Sequence, residues 1–214
     1  IMTSSPTVVY RESVTGKGII AMAKSPNKQN KFLVQVEPLE EKFIALIDNG
    51  ELAEGARNVL ALDEHRNILI DSTKNNQQFQ EARDIILSGF HSACRAGPLC
   101  GEPLKDVKVK LMEVQLDENQ QRRRPIEIMH GIRRAIFGSF LTAKPVLLEP
   151  IYKIEISVPV QRVGECLSII TRKRGRILAS EQRGSLAVIM GYIPVAETFG
   201  LSGEMRSATS GQAF

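Results

Sequence analysis

Between Gln77 and Arg95 the apolar side chains Phe79, Ala82, Ile86, Phe90 and Ala93 recur every three or four residues, and Gly97-Pro98 closes the pattern. A long helix with one apolar stripe is stable only when another element covers that stripe. Downstream, Val107–Leu116 alternates, with Val107, Val109 and Leu111 set against Lys108, Lys110 and Met112. That is the period of a half-buried strand. A second helix starts at Pro125, whose fixed φ and missing donor suit the first helical position. Its stripe is Ile128, Ile132, Ala135, Ile136, Phe140 and Ala143.

Strands and short helices fill the rest of the first half. Thr7–Val14 reads as a strand ending at Thr15-Gly16. Gly18–Ala23 and Lys31–Glu37 read as strands around the turn-rich run Ser25-Pro26-Asn27-Lys28-Gln29-Asn30. Glu40–Ile47 is a short amphipathic helix stopped by Asn49-Gly50, and Asn67–Asp71 is a short strand. The pattern changes at Lys144-Pro145, so residues 1–144 and 145–214 are expected to be two domains.

The second half reads β-α-β-β-α: strand Pro150–Val158, helix Gln161–Lys173, strands Arg176–Ser180 and Leu186–Ile193, and a weaker helix Ala196–Arg206 interrupted by Gly200 and Gly203. A ferredoxin-like sandwich needs one strand more, which would follow Phe214. The fold class is therefore α+β in two domains, the second a ferredoxin-like sandwich without its last strand, leaving one sheet edge open.

Hydrophobic residues make up 43% and charged residues 24%, as in a globular protein. No apolar run approaches the roughly 18 residues of a membrane span, and the N-terminus has no signal-peptide pattern. No membrane association is expected, and the chain reads as a piece of a longer protein. Cys94, Cys100 and Cys166 are odd in number and form no C-x-x-C pair, which argues against disulfides or zinc. Buried free thiols in a reducing compartment are expected.

Net charge is only +4, so the placement of cations matters more than their sum. They gather on turns. Lys24, Lys28 and Lys31 surround the Ser25–Asn30 run, Arg122, Arg123 and Arg124 precede the helix at Pro125, and Arg172, Lys173, Arg174 and Arg176 surround Gly175. Such turns suit contacts to a phosphate backbone. Arg172–Arg174 also fit as caps at a helix C-terminus. Arg122–Arg124, by contrast, oppose the dipole of the helix that follows, a cost of a few tenths of a kcal/mol that an anionic partner would offset. Catalytic signals are lacking. There is no G-x-x-x-x-G-K-[ST] loop, no nucleophile elbow, and no metal-ligand spacing among His65, His91 and His130.

Several runs together resemble archaeal and eukaryotic-type elongation factor 2. Lys24-Ser-Pro-Asn-Lys-Gln-Asn-Lys31 is similar to that family's S-P-N-K-H-N-[KR] loop, and Val8-Val-Tyr-Arg-Glu12 to the strand before it. Leu141-Thr-Ala-Lys-Pro145 through Leu148-Glu-Pro-Ile-Tyr152 resembles the junction of its fourth and fifth domains. Arg172-Lys-Arg-Gly175 resembles its R-[KR]-R-G turn, and the stretch from Phe199-Gly200 to Gly211-Gln-Ala-Phe214 its F-G…G-x-A-F end.

The resemblance implies a fourth domain, 1–144, with a ribosomal-protein-like βαβ fold that enters the decoding centre, and a ferredoxin-like fifth domain, 145–214. It implies a ribosome-inserting translocation factor, contacting ribosomal RNA and tRNA–mRNA through Lys24, Asn27, Lys28, Gln29, Asn30, Lys31, Arg122, Arg123 and Arg124. The second domain would contact RNA through Arg172, Lys173, Arg174 and Arg176. It also implies a cytoplasmic monomer with no cofactor in these residues, GTP and Mg²⁺ belonging to an N-terminal domain of the parent protein.

The tip departs from the family pattern. Arg122 stands where the family has the histidine that becomes diphthamide, Arg124 where it has Gly, Glu127 for Gln, His130 for a second Pro, and Gln29 for His. A paralogue that binds ribosomes without translocating, in rescue or dormancy, is therefore the competing expectation. An enzyme using Cys or His ranks last.

Overall fold

The computed structural model describes residues 6–52, 58–73 and 77–214, and they form two compact units. The larger, Tyr10–Leu148, contains a five-stranded sheet. Its strands are β2 (Ala21–Lys24), β3 (Lys31–Pro38), β4 (Val59–Leu62), β5 (Ile68–Asp71) and β6 (Val107–Gln115), in the order β2-β3-β6-β5-β4. β5 and β6 are parallel, and α2 (Gln77–Arg95) connects them as a βαβ unit. The other neighbours are antiparallel.

α2 and α3 (Pro125–Thr142) pack side by side on one face of this sheet, burying the two stripes that the sequence marks. Phe79, Ile86, Phe90, Ile128, Ile132, Ile136 and Phe140 are all 0–1% exposed. α3 lies close on β3 because residue 131 is glycine. A Cβ there would stand 2.4 Å from the Phe32 ring.

The second face is less open than alternation implied. α1 (Glu41–Asp48) covers part of it, with Leu39, Phe43, Leu52, Val59 and Ile68 forming a small separate core. Lys108, on the polar register of β6, is therefore only 3% exposed. It survives burial because Nζ meets Glu37 and Glu40 at 2.5 Å each and lies 5.6 Å from the centre of the Phe43 ring.

β4 was not expected. Val59–Leu62 is too short and too uniformly apolar to show a period. It is a strand because it pairs antiparallel with β5.

A two-stranded ribbon, β1 (Arg11–Val14) with β7 (Pro145–Leu148), belongs to the same unit. The compact units divide after Leu148, because the ladder to β1 holds Pro145–Leu148 in the first unit. Only the end of the expected Thr7–Val14 strand is paired. β1 is fixed by buried Glu12, whose carboxylate accepts the N–H groups of Leu99, Cys100 and Glu102 at 2.8–3.1 Å. That loop holds Cys100 at the surface, against the expectation of burial. Cys94 and Cys166 are buried.

The smaller unit comprises Glu149–Phe214 and, of the described N-terminal residues, Pro6–Val9. β8 (Ile151–Pro159), β9 (Arg176–Arg183) and β10 (Leu186–Pro194) form an antiparallel sheet in the order β8-β10-β9. α4 (Val163–Arg172) and α5 (Leu201–Ala208) close a core of Ile156, Val158, Cys166, Ile169, Ile170, Ile189 and Met205. This is the ferredoxin-like β-α-β-β-α arrangement with three strands. At the outer edge of β8, Ser157 and Phe214 exchange reciprocal backbone bonds of 2.8 and 3.1 Å, and no strand pairs with that edge among the described residues.

Candidate nucleic-acid interface

Two loops meet at one end of the larger unit. The first, Ser25–Asn30, connects β2 to β3, whose ends pair at Lys24 and Lys31. Lys28 takes a left-handed conformation there (φ 63°), and its N–H donates to the Ser25 carbonyl. The second loop runs from the end of β6 to α3 and includes a single 3₁₀ turn at Gln120–Arg122.

Backbone and amide groups join them. Asn27 Nδ2 and Asn30 Nδ2 both donate to the Arg122 carbonyl, at 2.8 and 3.0 Å. Asn27 N–H donates to Glu127 Oε2 (2.8 Å), and Asp117 N–H to Asn30 Oδ1 (3.1 Å). The Ser25–Asn30 and Arg122–Arg124 turns thus lie together, joined by hydrogen bonds between them.

The cations there differ in what they face. Lys24, Lys28 and Arg124 are exposed and Lys31 half-buried, and none of the four has an ion pair among the described residues. Arg122, with 55% of its side chain exposed, has one distant carboxylate, Asp117 at 3.5 Å. Arg123 turns inward: its guanidinium donates to the Asp117 carbonyl and pairs with Glu81 on α2, leaving the side chain 17% exposed. Arg123 therefore fastens the loop to the body rather than presenting charge. Gln29 is exposed.

Arg124 is the N-cap residue of α3 yet makes no capping bond. Glu127, in the first turn, supplies the negative charge that a helix start favours and also holds Asn27. Its role at the tip was not foreseen. The available signal was a carboxylate at the third residue of a helix, which also suits a plain dipole contact.

The second basic turn, between α4 and β9, is arranged differently. Arg172 and Lys173 both pair with Glu204. Arg174 pairs with Glu149 at 2.9 Å and Glu197 at 3.0 Å. Its hydrogen bonds to these two carboxylates, Glu149 first, hold the Arg174 guanidinium above its ordinary pKa. Arg176 is exposed and has no ion pair among the described residues. Three of the four residues expected to contact RNA here already have carboxylate partners.

The fold also gathers His65, His91 and Cys94, distant in sequence, around a cavity of about 380 Å³ with Asp63, Glu64, Arg95 and Pro103. Among the described residues no three His, Cys, Asp or Glu side chains are placed to hold a metal. Burial and the neighbouring Asp63 push the Cys94 thiol well above its ordinary pKa, so it is not activated as a nucleophile. His130 is exposed on α3. Among the described residues no helix is long and apolar enough to cross a membrane.

Residues 35–144 match the family model described as Elongation factor G, domain IV, and residues 146–214 the model described as Elongation factor G C-terminus. Elongation factor 2 of Metallosphaera sedula is 41% identical over 100% of this chain and 32% of its own length. Elongation factor 2 of Sulfurisphaera tokodaii is 42% identical with the same coverage, and that of Korarchaeum cryptofilum 41% identical over 99% of this chain and 32% of its own. The chain spans about a third of the length of these relatives. Two family models in series and relatives similar along the whole chain place it in one family: the chain belongs to the elongation factor G and elongation factor 2 family of translation elongation factors, in its domain IV and C-terminal regions.

Proposed function

We propose that this chain is the ribosome-contacting portion of a translocation factor, with the tip of the larger unit entering the decoding region to contact ribosomal RNA and the tRNA–mRNA complex. The observation that carries this reading is the tip itself. Two loops are fastened to one another by hydrogen bonds that use none of the exposed cationic groups, while Lys24, Lys28, Lys31 and Arg124 have no carboxylate partner among the described residues and Arg122 only a distant one. Unpaired cations on a fixed loop pair suit a phosphate-rich partner, since each phosphate contact releases counterions. Arginine at 122 keeps a permanent charge that can pair with phosphate or stack on a base. Chemistry is not the task of these residues. In a parent factor, GTP and its Mg²⁺ would be held by an N-terminal domain, and the site of action would be the cytoplasm.

A second reading rests on the departures at the tip. With Arg122 and Arg124 in place of the histidine and glycine of the family loop, the factor binds ribosomes at the same position but does not translocate. A single-round translocation assay with the parent protein separates the two. Forward movement of tRNA–mRNA supports the first reading, and tight ribosome binding without movement supports the second. The shared claim, that the tip contacts RNA, is tested by binding of the chain to isolated archaeal small ribosomal subunits across a salt series. Binding that does not depend on salt would refute it.

A further inference from the structure

The exposed cations at the tip are useful only if the loop that carries them is held, and two side-chain amides hold it at the Arg122 carbonyl. The Arg122 carbonyl ends the 3₁₀ turn and receives no backbone donor among the described residues. Its two partners are the side-chain amides of Asn27 and Asn30. Asn30 is fully buried. Its Oδ1 accepts the Asp117 N–H (3.1 Å), while its Nδ2 donates to the Arg122 carbonyl and to Ser25 Oγ (3.2 Å). Asn27 is used in the same way. Its Oδ1 accepts the Ser25 hydroxyl (2.5 Å) and the Gln29 N–H (3.1 Å), and its Nδ2 donates to Arg122.

Each amide thus faces a backbone N–H with its oxygen and a backbone carbonyl with its nitrogen. Only a planar group carrying both a donor and an acceptor does this, and neither Asp nor Ser can replace it fully. Asn30 holds the second loop at both ends, at Asp117 and at Arg122. Asn27 holds the same carbonyl from the exposed side and, through its N–H on Glu127, the first turn of α3.

We propose that Asn27 and Asn30 are positioning residues of the tip. They act through the Arg122 carbonyl, fixing the loop so that Arg122 and Arg124 meet phosphates already arranged alongside Lys28. This rests on the reading of the tip as RNA-contacting. It removes Asn27 and Asn30 from the set of direct RNA contacts and gives them the task of lowering the ordering cost of binding. That cost is about 0.5–1.5 kcal/mol per immobilised side chain, a factor of roughly three to ten in affinity.

The test is a double-mutant cycle on the whole chain, read as affinity for isolated archaeal small ribosomal subunits over a salt series. Asn27→Ala is the main variant because Asn27 is half-buried and its loss spares the core. Asn27→Ala should weaken binding about three- to ten-fold while leaving the salt slope within about 0.5, because no charge is removed. Made on top of Arg122→Ala/Arg124→Ala, the same change should cost less than about two-fold, since what it positions is gone. Hydrogen exchange of the Arg122–Arg124 amides in the free protein should rise in Asn27→Ala and Asn30→Ala, with α2 unchanged.

An equal loss in both backgrounds would mean that Asn27 touches RNA itself, and no loss in the first would mean that the clamp is inert. Either result overturns the proposal while leaving the tip as the interface. If instead Arg122→Ala/Arg124→Ala binds with unchanged affinity and slope, the RNA-contacting reading falls and the positioning role falls with it.

Discussion

Two turns of this molecule look alike in sequence. Arg122-Arg123-Arg124 and Arg172-Lys173-Arg174 are each three consecutive cations at the end of a helix. In the structure they are opposites. At the tip, Arg124 has no carboxylate partner among the described residues and Arg122 only a distant one. Between α4 and β9, carboxylates from three separate places, Glu149, Glu197 and Glu204, are brought onto the run. The helix ends also differ in sign. Arg172–Arg174 sit at a C-terminus, where cations are favoured, and Arg122–Arg124 precede an N-terminus, where they are not. The positive charge of a turn is thus decided by residues far away in sequence. A run of arginines marks an anion site only where those residues leave it unpaired.

Lys108 is the limit of the paired case and should give the largest effect. Replacing it by alanine leaves Glu37 buried beside Lys110 alone and should cost about 3 kcal/mol in denaturant unfolding. A change below about 1 kcal/mol would show that burial in α1's shadow is incidental. The cluster also sets an acid limit. Hydrogen bonds from Lys108 and Lys42 hold Glu40 down at about 2. Burial alone would raise Glu37, but Lys108 and Lys110 outweigh it and lower it. Carboxylates lowered in the fold contribute stability that is complete above their ordinary value near 4.5 and is lost as pH falls toward about 2. Lys108, by contrast, is raised, through Glu37 and Glu40 acting against the burial that would lower it. Its share is present below 10.5 and lost at higher pH. Urea titrations from pH 5 to 2.5 should show the acid loss in the wild type and a smaller one in Lys108→Ala.

Arg123 tests whether the tip run divides as its contacts divide. Arg123→Ala should cost about 1–2 kcal/mol, through loss of the bonds to Asp117 and Glu81. It should leave the salt slope of ribosome binding within about 0.3 of wild type, as no phosphate contact is lost. A slope change as large as that of its neighbours would erase the distinction.

Arg124 gives the smallest change in stability and the opposite sign. Arg124→Ser supplies the missing N-cap of α3 and should stabilise the fold by about 0.5–1 kcal/mol while weakening RNA binding. A variant that gains stability and keeps full affinity would mean that the arginine is not kept for an anion.

Much of the fold was legible because its main elements announce their own period. The stripes of α2 and α3 and the alternation of β6 are local facts, and the β-α-β-β-α order of the smaller unit follows from them and the turns between. What was not legible depends on partners. β4 and β7 are four-residue strands defined by their ladders, and α1's cover over Lys108 cannot be seen from β6 alone. At the tip, the motif-bearing loops could be named from the resemblance. That Arg123 faces inward to Glu81, and that Asn27 and Asn30 face a carbonyl, are consequences of packing that no run of residues contains.

The most direct test compares the two turns in one assay. Binding of the chain to isolated archaeal small ribosomal subunits is measured across a salt series for wild type, Arg122→Ala/Arg124→Ala and Arg172→Ala/Arg174→Ala. If Arg122 and Arg124 contact phosphate, the first double variant should flatten the log–log slope by about 1.4–1.8, at roughly 0.7–0.9 per contact, and the second by less than about 0.5. Equal slopes for the two variants, or an unchanged slope for the first, would contradict the account.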